Sequence, residues 1–498
     1  MDFISGENRE QSLIMPEIID DYVAEDNTVR VIEAYINSLN LEELSFTKHE
    51  PHKTGRPMYN PKDLLKLYIY GYMNRIRSSR RLENESKRNL EVIWLLCKLT
   101  PDHKTIARFR HDNTKALKNV FRDFVKLCMK LGLYGKELIA IDGSKFKAVN
   151  SHRRCFTEEQ IQKKIKKLTE KIDEYLEEMD SNDAAEDTVR SEKTKAEIVR
   201  IISSMKERKE LYQQYADELQ TTGEKQKALT DSESRLMPNN GKMEVCYNIQ
   251  TVVDAENKLI VEYDVTNQGN DNNFITPMAV KAKELLETET ITAVVDGGYK
   301  SVMDITAAIN NGIDVHVAGT DLDICLPATE TEATEINGHH NGRCVYIPER
   351  NIALCPMGKV LHPSNYNKVV KSGSGYFNNY QACRQCKCKC TASVKGYINY
   401  NIPMSEADFS KPYNDQNLVV KQIRIKPEKS IIEQRKSIVE HPFGTIKRNM
   451  DSGYCLTKGL RNVAGEFALT FLAYNFKRAI NILGARKLIQ IMAWKWVL

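Results

Sequence analysis

The sequence lacks the two apolar features that would direct a chain to a membrane or out of the cell. Residues 1–17 contain scattered acidic side chains and no apolar run long enough for a signal peptide. The most apolar stretch, Phe467 to Leu483, is interrupted by Lys477 and Arg478, which is more typical of a buried helix than of a membrane span. We therefore expect a cytoplasmic protein with no membrane partner.

The sequence also has little net charge. Its 72 basic and 67 acidic residues leave a formal charge of +5, so the overall balance barely indicates a nucleic-acid partner. The distribution is uneven, since residues 1–45 carry eleven acidic and two basic residues, whereas residues 53–110 carry fourteen basic and five acidic. We predict an acidic helical segment over 1–52 that packs or self-associates. A basic helical domain over 53–132 either binds DNA or presents only a solvated charged face.

A disulfide framework is not expected in an intracellular chain, and yet twelve cysteines are present. Several lie in residues 320–430, which have too little periodicity for a core sheet and include a Cys-x2-Cys pair. This spacing predicts a structural zinc site, and free thiols in a basic loop are the alternative. The preferred ligands are Cys355, Cys383, Cys386 and Cys390, and the substitutes are Cys388, Cys344 and His362.

Two apolar runs each end in an aspartate followed by glycine. Residues 138–141 and 291–295 are typical of buried strands, and Asp142 and Asp296 follow them directly. We expect each aspartate to project from a turn at the end of its strand, where a carboxylate can bind a metal ion. The alternative is an ordinary hairpin turn, because Asp-Gly is a common turn pair.

A third acidic residue, Glu440, lies among basic residues, seven positions before Lys447. A helix places residues at this spacing on one face. Three such carboxylates suit two hard divalent cations, since Mg²⁺ binds carboxylate oxygen at about 2.1 Å and two ions roughly 4 Å apart assist phosphodiester chemistry. Rival carboxylates are Asp254, Asp264 and Asp271, of which the first lies in a predicted hairpin turn and the second within a strand.

The order of elements is typical of a mixed α/β fold. After the first aspartate strand, heptad-spaced apolar residues in 157–225 predict a helical hairpin or, alternatively, part of a dimeric coiled coil. A β-hairpin over 245–265 follows, and then a helix, the second aspartate strand, a helix over 303–309 and a strand over 313–317. The helix that carries Glu440 and an apolar helix within 456–488 complete the chain.

These motifs resemble those of the DDE transposases of bacterial insertion sequences, which have a ribonuclease-H-like catalytic core. The matching strings are Ile141-Asp142-Gly143-Ser144, Asp296-Gly297-Gly298-Tyr299 and Val439-Glu440-His441-Pro442-Phe443-Gly444, with Arg435 and Lys447 on either side of the last. The resemblance implies that Asp142, Asp296 and Glu440 hold two Mg²⁺ or Mn²⁺ ions. It also implies that Arg435 and Lys447 contact DNA phosphates near the scissile bond.

The resemblance and the patterns above together predict an order of domains. A helical domain at 53–132 that binds terminal repeats would follow the acidic segment at 1–52. The catalytic core would occupy 133–156, 226–319 and 431–498, with a coiled-coil-like insertion at 157–225 and a cysteine-rich insertion at 320–430. The expected fold class is therefore a mixed α/β (α+β) ribonuclease-H-like core preceded by an all-α DNA-binding domain.

By this resemblance the protein is a metal-dependent DNA transposase that cleaves insertion-sequence ends and transfers them into target DNA. Its partners would be double-stranded DNA, as terminal inverted repeats and as target, and further copies of itself in a dimer or higher assembly. A bacterial, nucleoid-associated location is expected. Two alternatives stay open, namely a catalytically inactive DNA-binding protein derived from a transposase and a metal-dependent nuclease of the same fold.

Overall fold

The structure is a computed structural model of the chain. It describes residues 18–47, 58–151, 154–184, 195–299, 301–319, 322–327, 334–337, 343–363, 374–386, 400–403, 411–416, 418–425 and 427–494. Within these ranges, no helix combines the length and the apolar character that crossing a membrane requires.

Helices make up the N-terminal part of the chain, and sequence signals fix several of their ends. Asn60 accepts a hydrogen bond from the Lys62 amide, and Pro61 takes the first helical position, as the Asn-Pro pair predicts. Asp102 caps a later helix in the same way. The helices are α1 (Thr28–Asn37), α2 (Pro61–Met73), α3 (Ser79–Arg88), α4 (Leu90–Leu95), α5 (His103–Asp112) and α6 (Thr114–Lys130).

The rest of the chain contains both strands and helices. In chain order the strands are β1 (Leu138–Lys147), β2 (Cys155–Thr157), β3 (Gln226–Ala228), β4 (Arg235–Asn239), β5 (Lys242–Asp254), β6 (Ile260–Thr266), β7 (Ile291–Val295), β8 (Ile313–Val317), β9 (Leu322–Pro327), β10 (Thr334–Asn337), β11 (Arg343–Ile347), β12 (Ile352–Leu354), β13 (Val360–Pro363), β14 (Ser374–Asn378), β15 (Tyr400–Pro403) and β16 (Val420–Ile425). The helices are α7 (Glu158–Ala184), α8 (Lys195–Thr222), α9 (Ile275–Leu286), α10 (Val302–Asn310), α11 (Tyr380–Arg384), α12 (Lys429–Gly444), α13 (Leu460–Leu483) and α14 (Ala485–Trp494).

The central sheet has the strand order expected of a ribonuclease-H-like core. Its strands lie side by side as β6, β5, β1, β7 and β8, and β4 pairs with the start of β5, beyond the end of β6. Strands β1, β7 and β8 are parallel, whereas β5 runs antiparallel to β1. The arrangement confirms the predicted fold class and brings the ends of β1 and β7 together. The edge strand β4 was not expected, because its residues are typical of a loop.

One local expectation about β1 is wrong. Asp142 does not lie in a turn, because β1 continues to Lys147 and pairs with β5 along almost its whole length. Pairing with β7 stops at Ile141, and beyond that point β1 pairs with β5, with one further bridge from Lys147 to Tyr454. Gly143 and Ser144 are therefore strand residues. The backbone hydrogen bonds of a long antiparallel partner outweigh the local turn preference of the Asp-Gly-Ser sequence.

The insertion between β2 and β3 is an antiparallel helical hairpin. Helices α7 and α8 pack against each other through two small apolar clusters. The buried residues are Phe156, Ile161, Ala216 and Leu219 in one cluster and Ile172, Ile198 and Ile202 in the other. The two helices thus bury each other's heptad positions, as the predicted helical hairpin requires.

The cysteine-rich region contains small sheets of its own, which its sequence did not predict. Strands β10 to β15 form one antiparallel sheet in chain order, and β9 pairs with β16. Each of these strands has only three to six residues. Such short strands offer too few positions for a clear alternation of apolar and polar residues.

One apolar core joins the N-terminal helices to the central sheet. Helix α13, buried along most of its length, contacts α2, α5, α6 and β6, and Gly484 caps its end. Tyr474 is fully buried on this helix and is a core residue. A buried ion pair joins Arg77, between α2 and α3, to Glu466 on α13. The domain boundaries given above stay predictions.

Candidate functional site

Asp142 and Asp296 lie at the adjacent ends of two parallel strands. Ile141 of β1 is paired with Val295 of β7, and each aspartate is the next residue along its chain. Each carboxylate accepts a hydrogen bond from a nearby backbone amide, at 3.0 Å for Asp142 and 2.7 Å for Asp296. The strand register therefore brings together two carboxylates that are far apart in sequence.

The charges of these two carboxylates repel each other. Burial raises the pKa of Asp142 from 3.8 to about 7, and the negative charge of Asp296 contributes to the increase. The positive charge of Arg435 acts in the other direction and lowers the pKa of Asp142, because Arg435 Nη1 lies 3.8 Å from Asp142 Oδ2. A bound divalent cation would relieve the repulsion, since a nearby positive charge favours ionised carboxylates. The donor set of the two aspartates thus fits a hard divalent ion.

The raised pKa predicts that Asp142→Asn stabilises the metal-free protein at pH 8. The folded carboxyl holds its proton up to about pH 7, whereas the unfolded one releases it near 3.8. Because the folded state binds more protons between these values, the wild-type protein loses stability as the pH rises through them. We expect a gain of about 2–4 kcal/mol at pH 8 that shrinks as the pH falls towards 4.

Urea unfolding in EDTA at pH 5, 6.5 and 8 measures this difference. Asp264→Asn is the matched control, because Asp264 is 42% exposed and contacts Lys281 rather than the site. A gain for Asp142→Asn that does not change with pH would contradict the assignment of a raised pKa to Asp142.

Arg435 and Lys447 both approach the strand that carries Asp142. Arg435 lies on α12, and Lys447 lies in the π-helical segment Thr445–Asn449 that continues this helix. Lys447 Nζ donates to Ser144 Oγ at 2.7 Å and to the backbone carbonyl of residue 145 at 3.1 Å. Burial lowers the pKa of Lys447. The two cations expected to contact phosphate are therefore placed next to the first aspartate.

Glu440 is exposed on α12, five residues after Arg435. At 3.6 residues per turn, this separation turns it about 140° around the helix axis from Arg435. Within the described part of the chain, no three His, Cys, Asp or Glu side chains form a group that could hold a metal ion. The structure thus brings Asp142 and Asp296 together without gathering Glu440 to them. The metal-binding role of Glu440 stays a prediction.

A polar network lies beside Gly143 and was not found from the sequence. It consists of Lys145 on β1, Asn248 and Gln250 on β5 and Asp271 in the loop before α9. Asp271 was noted only as a rival carboxylate. No local pattern marks the two amide side chains, because their partners lie on other segments of the chain.

The proposed zinc ligands lie only partly within the described residues. Cys355 is buried, and its Sγ accepts a hydrogen bond of 3.3 Å from the Lys359 amide. Cys383 and Cys386 are half-buried, whereas Cys388 and Cys390 lie outside the described residues. The described substitutes are Cys344, which is buried on β11, and His362, whose Nε2 lies 3.0 Å from Asp415 Oδ2. Zinc binding stays a prediction.

Several basic residues of the N-terminal helices make contacts inside the protein. Arg77 pairs with Glu466 at 3.4 Å, and Lys66 pairs with Glu33 at 2.8 Å. Their charges therefore stabilise the fold and are not available to DNA. We define the basic surface of α3 and α5 by exposed residues that include Arg80, Arg81, Lys104 and Arg108. Exposed Lys87 and Arg88 on α3 are left out because they pair with Glu83 and Glu85.

Two family models match the chain. One is described as a transposase domain (DUF772) and matches residues 17–112. The other is described as a transposase DDE domain and matches residues 216–476, which is more than half of the chain. No curated protein matches the sequence.

A solved structure is also similar to this chain. It is a cryo-EM structure of a piggyBac transposase synaptic complex with hairpin DNA, matched over 95% of this chain and 80% of that one. The sequence identity is 7% and the TM-score is 0.28. A likeness this low adds nothing to the fold described above.

Proposed function

Because this chain belongs to the DDE transposases of the insertion-sequence type, we propose that it cuts DNA at the ends of its element and joins those ends to target DNA. The observation that carries the proposal is the pairing of Ile141 with Val295, which sets Asp142 beside Asp296. In this proposal the two aspartates and Glu440 hold divalent metal ions, Mg²⁺ or Mn²⁺. When bound, such ions activate the attacking oxygen and stabilise the leaving one.

The chain's own residues position the DNA for an in-line attack. In the cleavage step water attacks phosphorus, the P–O3′ bond breaks, and the 3′-oxygen leaves as a 3′-hydroxyl. In the joining step that 3′-hydroxyl attacks a target phosphate and displaces the 3′-oxygen of the target strand, without a covalent protein intermediate. Arg435 and Lys447 neutralise phosphate charge near the scissile bond. Lys447 suits this role because its contacts with Ser144 and the backbone of β1 fix its position. Burial disfavours its charge, and an approaching phosphate compensates for that cost.

DNA ends are bound by the basic surface of α3 and α5 in this proposal. We expect Arg80→Ala combined with Arg81→Ala to weaken binding to end DNA. The slope of the logarithm of the association constant against the logarithm of the salt concentration should decrease in magnitude by about 2, because two phosphate contacts are lost. Fluorescence anisotropy at several salt concentrations measures the slope. Lys163→Ala combined with Lys166→Ala removes the same charge from exposed positions on α7 and serves as the control. An unchanged slope for the arginine pair would place the DNA elsewhere.

Transposition handles two ends together, and we therefore propose a dimer or higher assembly on DNA. The experiment that tests the function uses purified protein, Mg²⁺, the DNA that flanks the coding sequence in its source genome and a supercoiled target plasmid. The proposal predicts cleaved ends and covalently joined products. Cleavage without joining would indicate a nuclease, and binding without cleavage would indicate a DNA-binding protein only.

A further inference from the structure

The Asp271 side chain is the centre of the polar network beside the candidate site. Its Oδ1 accepts hydrogen bonds from Asn248 Nδ2 and Gln250 Nε2, both at 2.7 Å, and from Lys145 Nζ at 3.1 Å. Lys145 also reaches Oδ2, at 3.4 Å. The amide side chains are fully buried, and the lysine and aspartate side chains are only 13% and 20% exposed. Water therefore competes little with these bonds.

The network packs directly against the backbone that follows Asp142. A Cβ atom at position 143 would lie 2.4 Å from Asp271 Oδ1 and 2.3 Å from Gln250 Nε2, which is closer than real Cβ atoms approach. Glycine at this position thus lets the network touch the strand. Alternation along β1 puts Gly143 and Lys145 on one face and Asp142 on the other. The network therefore packs against β1 on the face opposite to the Asp142 side chain.

The same network extends to the second aspartate. Tyr299, three residues after Asp296, is buried and donates its hydroxyl hydrogen to Gln250 Oε1. Gln250 in turn donates to Asp271. One chain of hydrogen bonds therefore runs from the segment after Asp296 to the strand that carries Asp142.

We propose that Asp271 is a positioning residue that holds the segments bearing Asp142 and Asp296 in fixed relation for DNA cleavage. This inference rests on the proposed function. The hydrogen bonds favour positioning over direct metal binding, since Oδ1 accepts three donors and Oδ2 contacts the Lys145 ammonium. Oδ1 therefore has no lone pair free, and the Lys145 ammonium beside Oδ2 repels a second cation. Asp271 thus acts through Gly143, Gln250 and Tyr299.

The test measures single-turnover cleavage of end DNA, DNA affinity and Mn²⁺ binding by EPR in the absence of DNA. Asp271→Asn is expected to cut about 100-fold more slowly, which is the loss that a misplacement near 1 Å causes. DNA affinity should stay at the wild-type value, and Mn²⁺ binding should weaken much less than in Asp142→Asn, which removes a proposed ligand. Asp264→Asn, on neighbouring β6 and outside the network, is the control and should cleave normally.

A second variant keeps the test independent of folding defects. Tyr299→Phe loses one hydrogen bond and should slow cleavage by about tenfold. If both residues act through one network, the double variant should be no slower than Asp271→Asn alone. Multiplied effects would overturn the proposal, as would Mn²⁺ binding lost by Asp271→Asn to the same extent as by Asp142→Asn, which would make Asp271 a ligand.

Two further outcomes separate this inference from the proposed function. Wild-type cleavage by Asp271→Asn, with Asp142→Asn inactive, would overturn the positioning role and leave the proposed function intact. Normal cleavage by Asp142→Asn would overturn the proposed function itself. A slow Asp271→Asn protein that recovers fully at lower temperature would show a role in stability alone and would also overturn the positioning role.

Discussion

Replacing Asp296 with asparagine is expected to slow cleavage of end DNA by about 1,000-fold or more, because metal ions held by carboxylates supply several kcal/mol of transition-state stabilisation. Asp142→Asn should have an effect of the same size, since the strand register makes the two aspartates equivalent neighbours. Binding of end DNA should persist in both variants, because the basic surface of α3 and α5 is unchanged.

Single-turnover cleavage and anisotropy titrations on the same DNA check this expectation. Glu440→Gln should likewise bind its ends and fail to cleave them. Asp264→Asn is the matched control and should retain activity. If Glu440→Gln cleaves normally while both aspartate variants are inactive, the site uses the aspartates without Glu440.

Glu466→Ala is expected to destabilise the protein by about 3–5 kcal/mol, the usual cost of breaking a buried ion pair. Glu466 is fully buried on α13, and its carboxylate accepts hydrogen bonds of 2.9–3.0 Å from the amides of Leu456 and Thr457. It also pairs with buried Arg77, which would keep a charge without its counterion. The pair joins the segment between α2 and α3 to α13.

Urea unfolding followed by circular dichroism measures the loss. Glu433→Ala is the control, because Glu433 on α12 is 68% exposed. Its Oε1 lies 3.9 Å from Nζ of Lys429 on that helix, and such an exposed ion pair contributes less than about 1 kcal/mol. A Glu466→Ala protein within about 1 kcal/mol of the wild type would contradict the importance of this pair, given the usual cost of a buried unpaired charge.

Local sequence patterns predicted much of the fold. Apolar runs gave β1 and β7, alternation gave the β5–β6 hairpin, and the Asn60-Pro61 pair gave the start of α2. These features depend on residues close together in the chain. The resemblance implied a ribonuclease-H-like core, and the pairing of the strands agrees with that fold class.

What the sequence could not predict depends on distant partners. Asp142 was expected in a turn, and only its pairing with β5, more than a hundred residues away, makes it a strand residue. Arg77 counted towards the basic region, but Glu466 holds it inside the protein. The contacts of Gln250 with Asp271 and Tyr299 have no local pattern at all.

We propose that Asp142 and Asp296 hold the metal ions of a DNA-cutting site. Anomalous diffraction from crystals of the protein with end DNA and Mn²⁺ tests this proposal. We expect two manganese peaks roughly 4 Å apart, the spacing of a two-metal site, with both aspartates and Glu440 as ligands. Peaks bound elsewhere, or no peak beside the two aspartates, would contradict it.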